Sequence, residues 1–196
     1  MSRLTSVLLF LLALFLAHPA AADPIRIVAF GDSNTYGYGV ARKDAYPAKL
    51  ERALRAKGYD VKVTNAGVNG DTTEGALKRL EWTVLENTDI TIVEFGTNDR
   101  RAGRSARRIR ANLGLIVQRL RLFGSQVLLV SYRGADLGDV AKKHAALYFK
   151  WGAPRQARYY VRGNPGNHLN ARGYDVIVAR MLPQIEELIE RARSKH

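Results

Sequence analysis

The 196-residue chain is long enough for one domain with a sizeable hydrophobic core and too short for two. Hydrophobic residues make up 46% and charged residues 25% of it, which is typical of a globular protein and excludes a disordered chain. The net charge of +13 makes nucleic acid, anionic membranes and acidic substrates the partners to consider. Cysteine is absent, which excludes disulfides, a thiol nucleophile and Cys-ligated zinc.

The first 22 residues predict a secretory signal peptide. Arg3 precedes an apolar run over 7–17, and small residues lead to a cleavage position after Ala22. The run is too short to span a bilayer, which favours cleavage; a retained interfacial anchor is the alternative. We therefore expect a single mature domain, residues 23–196, in the periplasm or secreted, where cytoplasmic nucleic acid is not a partner.

Short apolar runs alternate with helical patterns along the rest of the chain. The predicted strands are 25–30, 61–65, 89–95, Gln126–Ser131 and a weak fifth at 158–161. The predicted helices are 45–57, 72–86, 105–123, 139–151 and Ala171–Arg193, the last with Pro183 as a point of bending. Strands that are apolar on both faces and alternate with helices predict an α/β fold, with a parallel sheet covered on both sides.

Polar loops follow the first three predicted strands, where a parallel sheet binds its ligands. Ser33 comes directly after the first strand and is placed to act as a nucleophile at a helix amino end, although a helix cap is the alternative role. Gly70 and Asn98 lie in the next two loops and offer a backbone N–H and a side-chain amide. With the N–H of Ser33 they predict an oxyanion hole.

A serine nucleophile needs a general base, and histidine is scarce in this chain. His144 falls inside a predicted helix, where a solvated position is expected. His168 lies in the loop before the last helix, which can bring its imidazole over the carboxyl ends of the strands. By elimination, His168 is the expected base.

Four sequence blocks resemble those of the GDSL, or SGNH, hydrolases. Gly31-Asp32-Ser33-Asn34 resembles their first block, residues 65–73 their second, Gly96-Thr97-Asn98-Asp99 their third, and His168 the histidine of their fifth. Order and spacing match along almost the whole mature chain, and the likeness is greatest to the small periplasmic arylesterase, thioesterase and lysophospholipase branch.

The resemblance implies a three-layer α/β/α, flavodoxin-like fold. It also implies Ser33 as nucleophile, Gly70 and Asn98 as oxyanion donors and His168 as base. The expected activity is hydrolysis of carboxylic ester or thioester bonds in small or lipid-like acyl substrates, through an acyl-enzyme and without metal or organic cofactor. The alternative is a weakened or inactive relative that binds anionic glycans or lipids.

One position departs from the family pattern. An aspartate normally stands three residues before the histidine, and here that residue is Pro165. Either a carbonyl or the side chain of Asn164 or Asn167 orients His168 in a working dyad, or a distant acid (Asp136 or Asp139) folds back to it, or the enzyme is inactive. Asp175, farther along the last helix, is expected to point elsewhere.

The positive charge is concentrated in one region. Residues 100–135 hold nine arginines and no acidic residue. Arg100, Arg101 and Arg104 directly follow Asn98, at helical spacing, and predict an electropositive rim for anionic substrates or a membrane surface. A solvated helix face is the alternative. The sequence leaves the oligomeric state open.

Overall fold

The computed structural model describes residues 23–131, 135–163 and 168–194. The strands are β1 (Ile25–Gly31), β2 (Val61–Gly67), β3 (Ile90–Glu94), β4 (Gln126–Ser131) and β5 (Leu147–Lys150). The helices are α1 (Ser33–Tyr36), α2 (Tyr46–Ala56), α3 (Thr73–Thr83), α4 (Thr97–Arg101), α5 (Ala106–Leu122), α6 (Gly138–Lys143) and α7 (Ala171–Arg193), with 3₁₀ turns at Arg42–Asp44 and Ala157–Tyr159. The predicted signal peptide, residues 1–22, lies outside the described residues.

The five strands form one parallel sheet in the order β2-β1-β3-β4-β5, as the predicted α/β fold requires. The register pairs Gly31, the last residue of β1, with Gly67 on β2 and Glu94 on β3. The strand order reverses at β1, because β2 is built on one side of it and β3 on the other. The carboxyl ends of β1 and β3 are therefore the usual position for a ligand in such a sheet.

Helices cover both faces of the sheet and make three layers. Side chains alternate along β1, so that Ile27 and Ala29 join the apolar cluster of α2 and α7. Val28 and Phe30 join the cluster of α3 and α5 on the opposite face. Because full burial of a Leu or Ile side chain stabilises by about 1.5–3 kcal/mol, these two clusters hold the helices on the sheet.

The predicted helix at 139–151 is wrong. The chain forms α6, which ends at Lys143, and then enters β5 at Leu147. The reason is local, because Ala145 has a φ of 52° and this left-handed conformation stops the helix. The aromatic residues that follow favour a strand, and β5 pairs with β4 at the edge of the sheet.

The predicted strand at 158–161 is also wrong. Residues Ala157–Tyr159 form a 3₁₀ turn, and Tyr160 makes one isolated antiparallel bridge to Leu169. The edge beside β4 is already occupied by β5, so this segment cannot pair with it.

The last helix has the predicted bounds. Asn170 caps α7 by accepting from the N–H of Gly173 at 3.1 Å, and the helix continues through Pro183. In the described part of the chain, no helix combines the length and the apolar character that crossing a membrane requires.

Two leucines near the end of α5 test the packing of the second core layer. Leu120 is fully buried, whereas Leu122 is 78% exposed. We expect Leu120→Ala to lower the free energy of unfolding by about 2–5 kcal/mol, because it removes buried surface and leaves a cavity. Leu122→Ala is the matched control and should change it by less than about 0.5 kcal/mol. Urea unfolding measures both, and equal effects would contradict the layer assignment.

Candidate active site

Two glycines let α1 lie directly against the ends of β1 and β2. A Cβ on Gly31 would stand 2.0 Å from Thr35 Oγ1, and a Cβ on Gly67 would stand 2.1 Å from the backbone nitrogen of Tyr36. Both distances are far below van der Waals contact, so larger residues are excluded there. This close approach places Ser33, the first residue of α1, at the carboxyl end of β1.

Asp32, and not Ser33, caps this helix. The Asp32 side chain accepts from the N–H of Asn34 at 3.0 Å, which is the usual cap interaction. The alternative role considered for Ser33, a helix cap, is therefore wrong. Its hydroxyl is available for another partner.

That partner is His168. The Ser33 Oγ and His168 Nε2 atoms are 2.8 Å apart, while Oγ is 3.5 Å from the nearer Asp32 carboxylate oxygen. The shorter contact identifies Nε2 as the better acceptor of the hydroxyl proton. The His168 carbonyl accepts from the N–H of Val161 at 3.0 Å, which fixes the loop before α7. The sequence prediction that this loop delivers an imidazole to Ser33 agrees with this geometry.

The other histidine considered lies elsewhere. His144 directly follows the last residue of α6 and is half-buried beside Gly114 of α5, so the expectation of a solvated position is only partly right.

The acidic residues considered as partners of His168 have other contacts. Asp139 is ion-paired with Arg110, and Asp136 accepts from the N–H of Gly138 at 2.9 Å. Asp175 pairs with Lys49 at 2.5 Å, as expected for a side chain that points away from the site. Asn164, Pro165 and Asn167 lie outside the described residues, so orientation of His168 by one of the two asparagines stays a prediction.

The predicted oxyanion donors come from the two neighbouring loops. Asn98 Nδ2 donates to Asp32 Oδ2 at 3.1 Å and to the Asp71 carbonyl at 2.9 Å. These bonds bring the Asn98 amide beside the cap of α1, next to the residue that follows Gly70. Gly70 is exposed with a φ of 77°, and nothing lies within 4 Å of the position of a Cβ. Its backbone is thus open to approach by a ligand.

Sequence reasoning missed Arg79, which ties the first two loops together. This α3 residue donates through Nε to Asp71 Oδ2 at 2.8 Å, and through its terminal nitrogens to the Ala66 carbonyl at 3.0 Å and the Gly31 carbonyl at 3.1 Å. Its guanidinium also lies over the Phe30 ring, 4.3 Å from the centroid. No sequence signal marks it, because one acceptor lies at the end of β1 and the others on β2 and in the loop after it, and only folding brings them together.

A second tie joins the second and third loops. Asp99 is buried and accepts from the Thr73 N–H at 3.0 Å and from the Thr73 hydroxyl at 2.5 Å. Asn112 of α5 donates to the same hydroxyl at 2.9 Å. Helix α4, which carries Asn98 and Asp99, is therefore anchored on the amino end of α3.

Two buried carboxyl groups lie beneath Ser33. Burial raises the pKa of Asp32 to about 6, although hydrogen bonds from Asn34 and Ser33 and the charge of Arg101 act in the opposite direction. Burial, and then the charge of Asp32, raise the pKa of Glu94 well above its ordinary value. The sequence does mark Glu94 as unusual. The predicted apolar strand 89–95 begins with an acidic residue, and Glu94 is the one acidic residue in the rest of it.

The predicted rim is not a single helix. Arg100 and Arg101 end α4, and Gly103, with a φ of 75°, turns the chain before α5 begins. Arg104 pairs with Glu74 at 3.4 Å. Arg108 is also ion-paired with Glu74, and its hydrogen bond lowers the pKa of Glu74. The charge of Arg101, by contrast, acts on the buried Asp32 of the site.

Comparisons with known proteins identify the family of this chain. The family model described as GDSL-like Lipase/Acylhydrolase family matches residues 29–147, and the chain belongs to this family. That confirms the resemblance seen in the sequence. The relatives include Esterase TesA of Pseudomonas aeruginosa, 34% identical over 116 residues, or 59% of this chain and 57% of that protein. Another is the Arylesterase of Vibrio mimicus, 31% identical over 134 residues, or 68% of this chain and 65% of that protein. The matched region thus spans less than two thirds of the length of either relative.

Solved structures give the same fold. AlinE4, described as a SGNH-hydrolase family esterase, is 30% identical with a TM-score of 0.66, covering 84% of this chain and 96% of that chain. A crystal structure of TesA superposes with a TM-score of 0.75 at 23% identity, covering 83% of this chain and 99% of that one, and supports the fold alone.

Arg79 gives a test of how the loops are held. We expect Arg79→Lys to lower the free energy of unfolding by about 2–3 kcal/mol, because an ammonium group cannot reproduce the fork that reaches three acceptors. The neighbouring Lys78→Met, at an exposed position of the same helix, is the control. Thermal unfolding measures both, and a stable Arg79→Lys variant would show that the tie is dispensable.

Proposed function

We propose that the protein is a serine hydrolase that cleaves carboxylic ester or thioester bonds through an acyl-enzyme on Ser33. The observation that carries this is the 2.8 Å contact between Ser33 Oγ and His168 Nε2 at the carboxyl ends of the strands. Family membership supports the same reaction class.

The reaction needs only groups that this chain supplies. Ser33 Oγ bonds to the substrate carbonyl carbon while its proton passes to His168 Nε2. The alcohol or thiol leaves with that proton. A water, deprotonated by His168, then attacks the acyl-enzyme, releases the acid and restores the Ser33 hydroxyl.

The charge on the carbonyl oxygen requires donors. The N–H of Ser33, at the amino end of α1, and that of Gly70 are proposed for this role, together with the Asn98 amide. Because Asp32 and Asp71 accept both Asn98 hydrogens in the resting site, the oxyanion would compete with these two acceptors for one of them.

His168 works in this proposal without a triad aspartate. Asp136 and Asp139 are held by other groups, which favours the dyad over a distant acid. The orienting group is then a carbonyl or the side chain of Asn164 or Asn167. Such a group can hold the imidazole in the correct tautomer. The wrong tautomer is the main reason why kcat falls when a triad aspartate is replaced by asparagine.

Exposed apolar side chains beside the dyad support an acyl or aryl substrate. The Tyr38 ring lies 4.9 Å from the His168 ring and is 42% exposed. Tyr36 and Val68 are each 45% exposed, on the two segments that meet at Gly67. Together these three side chains offer an open apolar surface, suited to a small ester or to the first part of a lipid chain.

Replacement of the nucleophile tests the reaction. We expect Ser33→Ala to reduce hydrolysis of p-nitrophenyl butyrate by at least about 10³-fold, because no acyl-enzyme forms. The wild-type protein should also be labelled at Ser33 by an organophosphonate ester at one mole per mole. Ser194→Ala, at an exposed position of the last turn, is the control and should behave as wild type.

The same experiment decides the alternative function. A folded wild-type protein that never labels and does not turn over esters would be a binding protein for anionic glycans or lipids. Undiminished turnover in Ser33→Ala would remove the assignment of the nucleophile.

The electropositive rim is proposed to centre on Arg101, whose charge acts on Asp32, with Arg100 beside it, while Glu74 offsets the charge of Arg104. We expect Arg101→Glu to lower kcat/KM for an anionic ester about fivefold at low salt, because steering of the substrate is lost. The loss should vanish at high salt, where charges are screened. Arg107→Glu, at an exposed position of α5, is the charge-matched control. Equal effects of the two changes, or no effect of salt, would argue against the rim.

Export is part of the proposal. Cleavage after Ala22 would place the domain 23–196 in the periplasm or outside the cell, where lipid esters and anionic membrane surfaces are accessible partners. Nucleic acid is not proposed as a partner.

A further inference from the structure

We propose that Glu94 is a positioning residue, which keeps one proton and donates it in a hydrogen bond to Asp32, so that Asp32 holds Ser33 and Asn98 in place. This inference rests on the proposed function only for its kinetic readout. Asp32 and Glu94 are both fully buried.

The two carboxyl groups are adjacent. The Asp32 N–H donates to the Glu94 carbonyl at 3.2 Å, and the Asn34 side-chain amide bridges the two carboxyl groups. Its Nδ2 atom is 3.3 Å from Asp32 Oδ1 and 3.4 Å from Glu94 Oε1. A direct hydrogen bond between two carboxyl groups requires a proton on one of them, since two carboxylates only accept.

The pair of carboxyl groups carries a single negative charge. Asn34, Thr35 and Asn98 all donate hydrogen bonds to the pair, and two neutral acids would not require so many donors. The Asn34 amide directs its nitrogen at the pair, while its own oxygen has no hydrogen-bond partner among the described residues. Two adjacent buried charges would repel strongly, so one ionised and one protonated group fit these contacts best.

The hydrogen bonds of the two carboxyl groups favour Glu94 as the protonated one. Asp32 accepts the cap N–H of Asn34 at 3.0 Å and the Asn98 amide at 3.1 Å, both of which stabilise an ionised carboxylate. Glu94 accepts from Thr35 Oγ1 at 3.2 Å and from the longer Asn34 contact. The pKa order agrees, because burial and the Asp32 charge raise that of Glu94 well above its ordinary value, while that of Asp32 is about 6.

The surroundings include few other titratable groups. The Tyr46 hydroxyl of α2 is 3.2 Å from Thr35 Oγ1, and burial raises its pKa, so it stays neutral. The Tyr174 hydroxyl of α7 donates to the Asn34 carbonyl at 2.9 Å. Arg101 of α4 acts on Asp32 through its charge, and His168 approaches from the Ser33 side.

Three variants test the proposal. Glu94→Gln keeps the shape and a donor but has no titrating proton. Glu94→Leu removes the hydrogen-bond donor that the proposal assigns to Asp32. Glu86→Gln changes an exposed carboxyl and is the control.

The kinetic readout is kcat as a function of pH. Glu94→Gln should keep at least about a third of the wild-type kcat, and Glu94→Leu should lose at least about tenfold, with KM changed less than kcat. Wild-type kcat should fall at alkaline pH, when the pair loses its shared proton, and Glu94→Gln should lack this fall. A Glu94→Gln variant as impaired as Glu94→Leu, or one with the wild-type alkaline fall, would overturn the proposal.

A second readout does not depend on activity. Because the folded pair keeps a proton that the unfolded chain releases above ordinary carboxyl pKa values, wild-type stability should fall relative to Glu94→Gln as the pH rises from about 4.5. Thermal unfolding across this range measures the difference. A difference that is constant with pH would indicate packing alone and overturn the proposal. This readout stands even if the protein hydrolyses no ester, or if Glu94→Leu does not fold.

Discussion

The carboxylate of Asp32 is the interaction on which the arrangement of the site depends. It caps α1, which places Ser33, and it accepts from the Asn98 amide, which joins the loop after β3 to the loop after β1. A charge buried at this depth is costly unless donors surround it. The donors come from α1 and α4, so the electrostatic requirement of one carboxylate helps to align the segments that follow β1 and β3.

Packing supplies the rest of the geometry. The two glycines at the ends of β1 and β2 let α1 approach the sheet, and Arg79 closes the gap between those strand ends by satisfying their carbonyls. The Asp99 contacts with Thr73 fix the third loop in the same way. Ser33 and His168 thus lie on a framework held by hydrogen bonds between buried polar groups, and such support is the usual condition for a precise catalytic geometry.

The sequence predicts most of the fold and the chemically distinctive part of the site. The strands of the sheet interior could be predicted because they are continuous apolar runs, and His168 could be found because the chain has so few histidines. The edge strand β5 was missed, because the turn before it depends on a left-handed alanine that no residue pattern reveals. The contacts of Arg79 and Glu94 could not be predicted for a different reason. Their partners lie 48 and 60 residues away, at Gly31 and Asn34, and only the folded chain brings them together.

The 135-residue separation between Ser33 and His168 has a consequence for folding. The serine belongs to the first strand and the histidine immediately precedes the last helix, which itself supplies much of one apolar layer. Contacts this far apart in sequence form late, because the loop they close is long. A nascent chain can therefore complete its sheet before His168 reaches Ser33. In the proposed hydrolase, the serine becomes reactive only when α7 docks, so a partly folded chain would not attack esters.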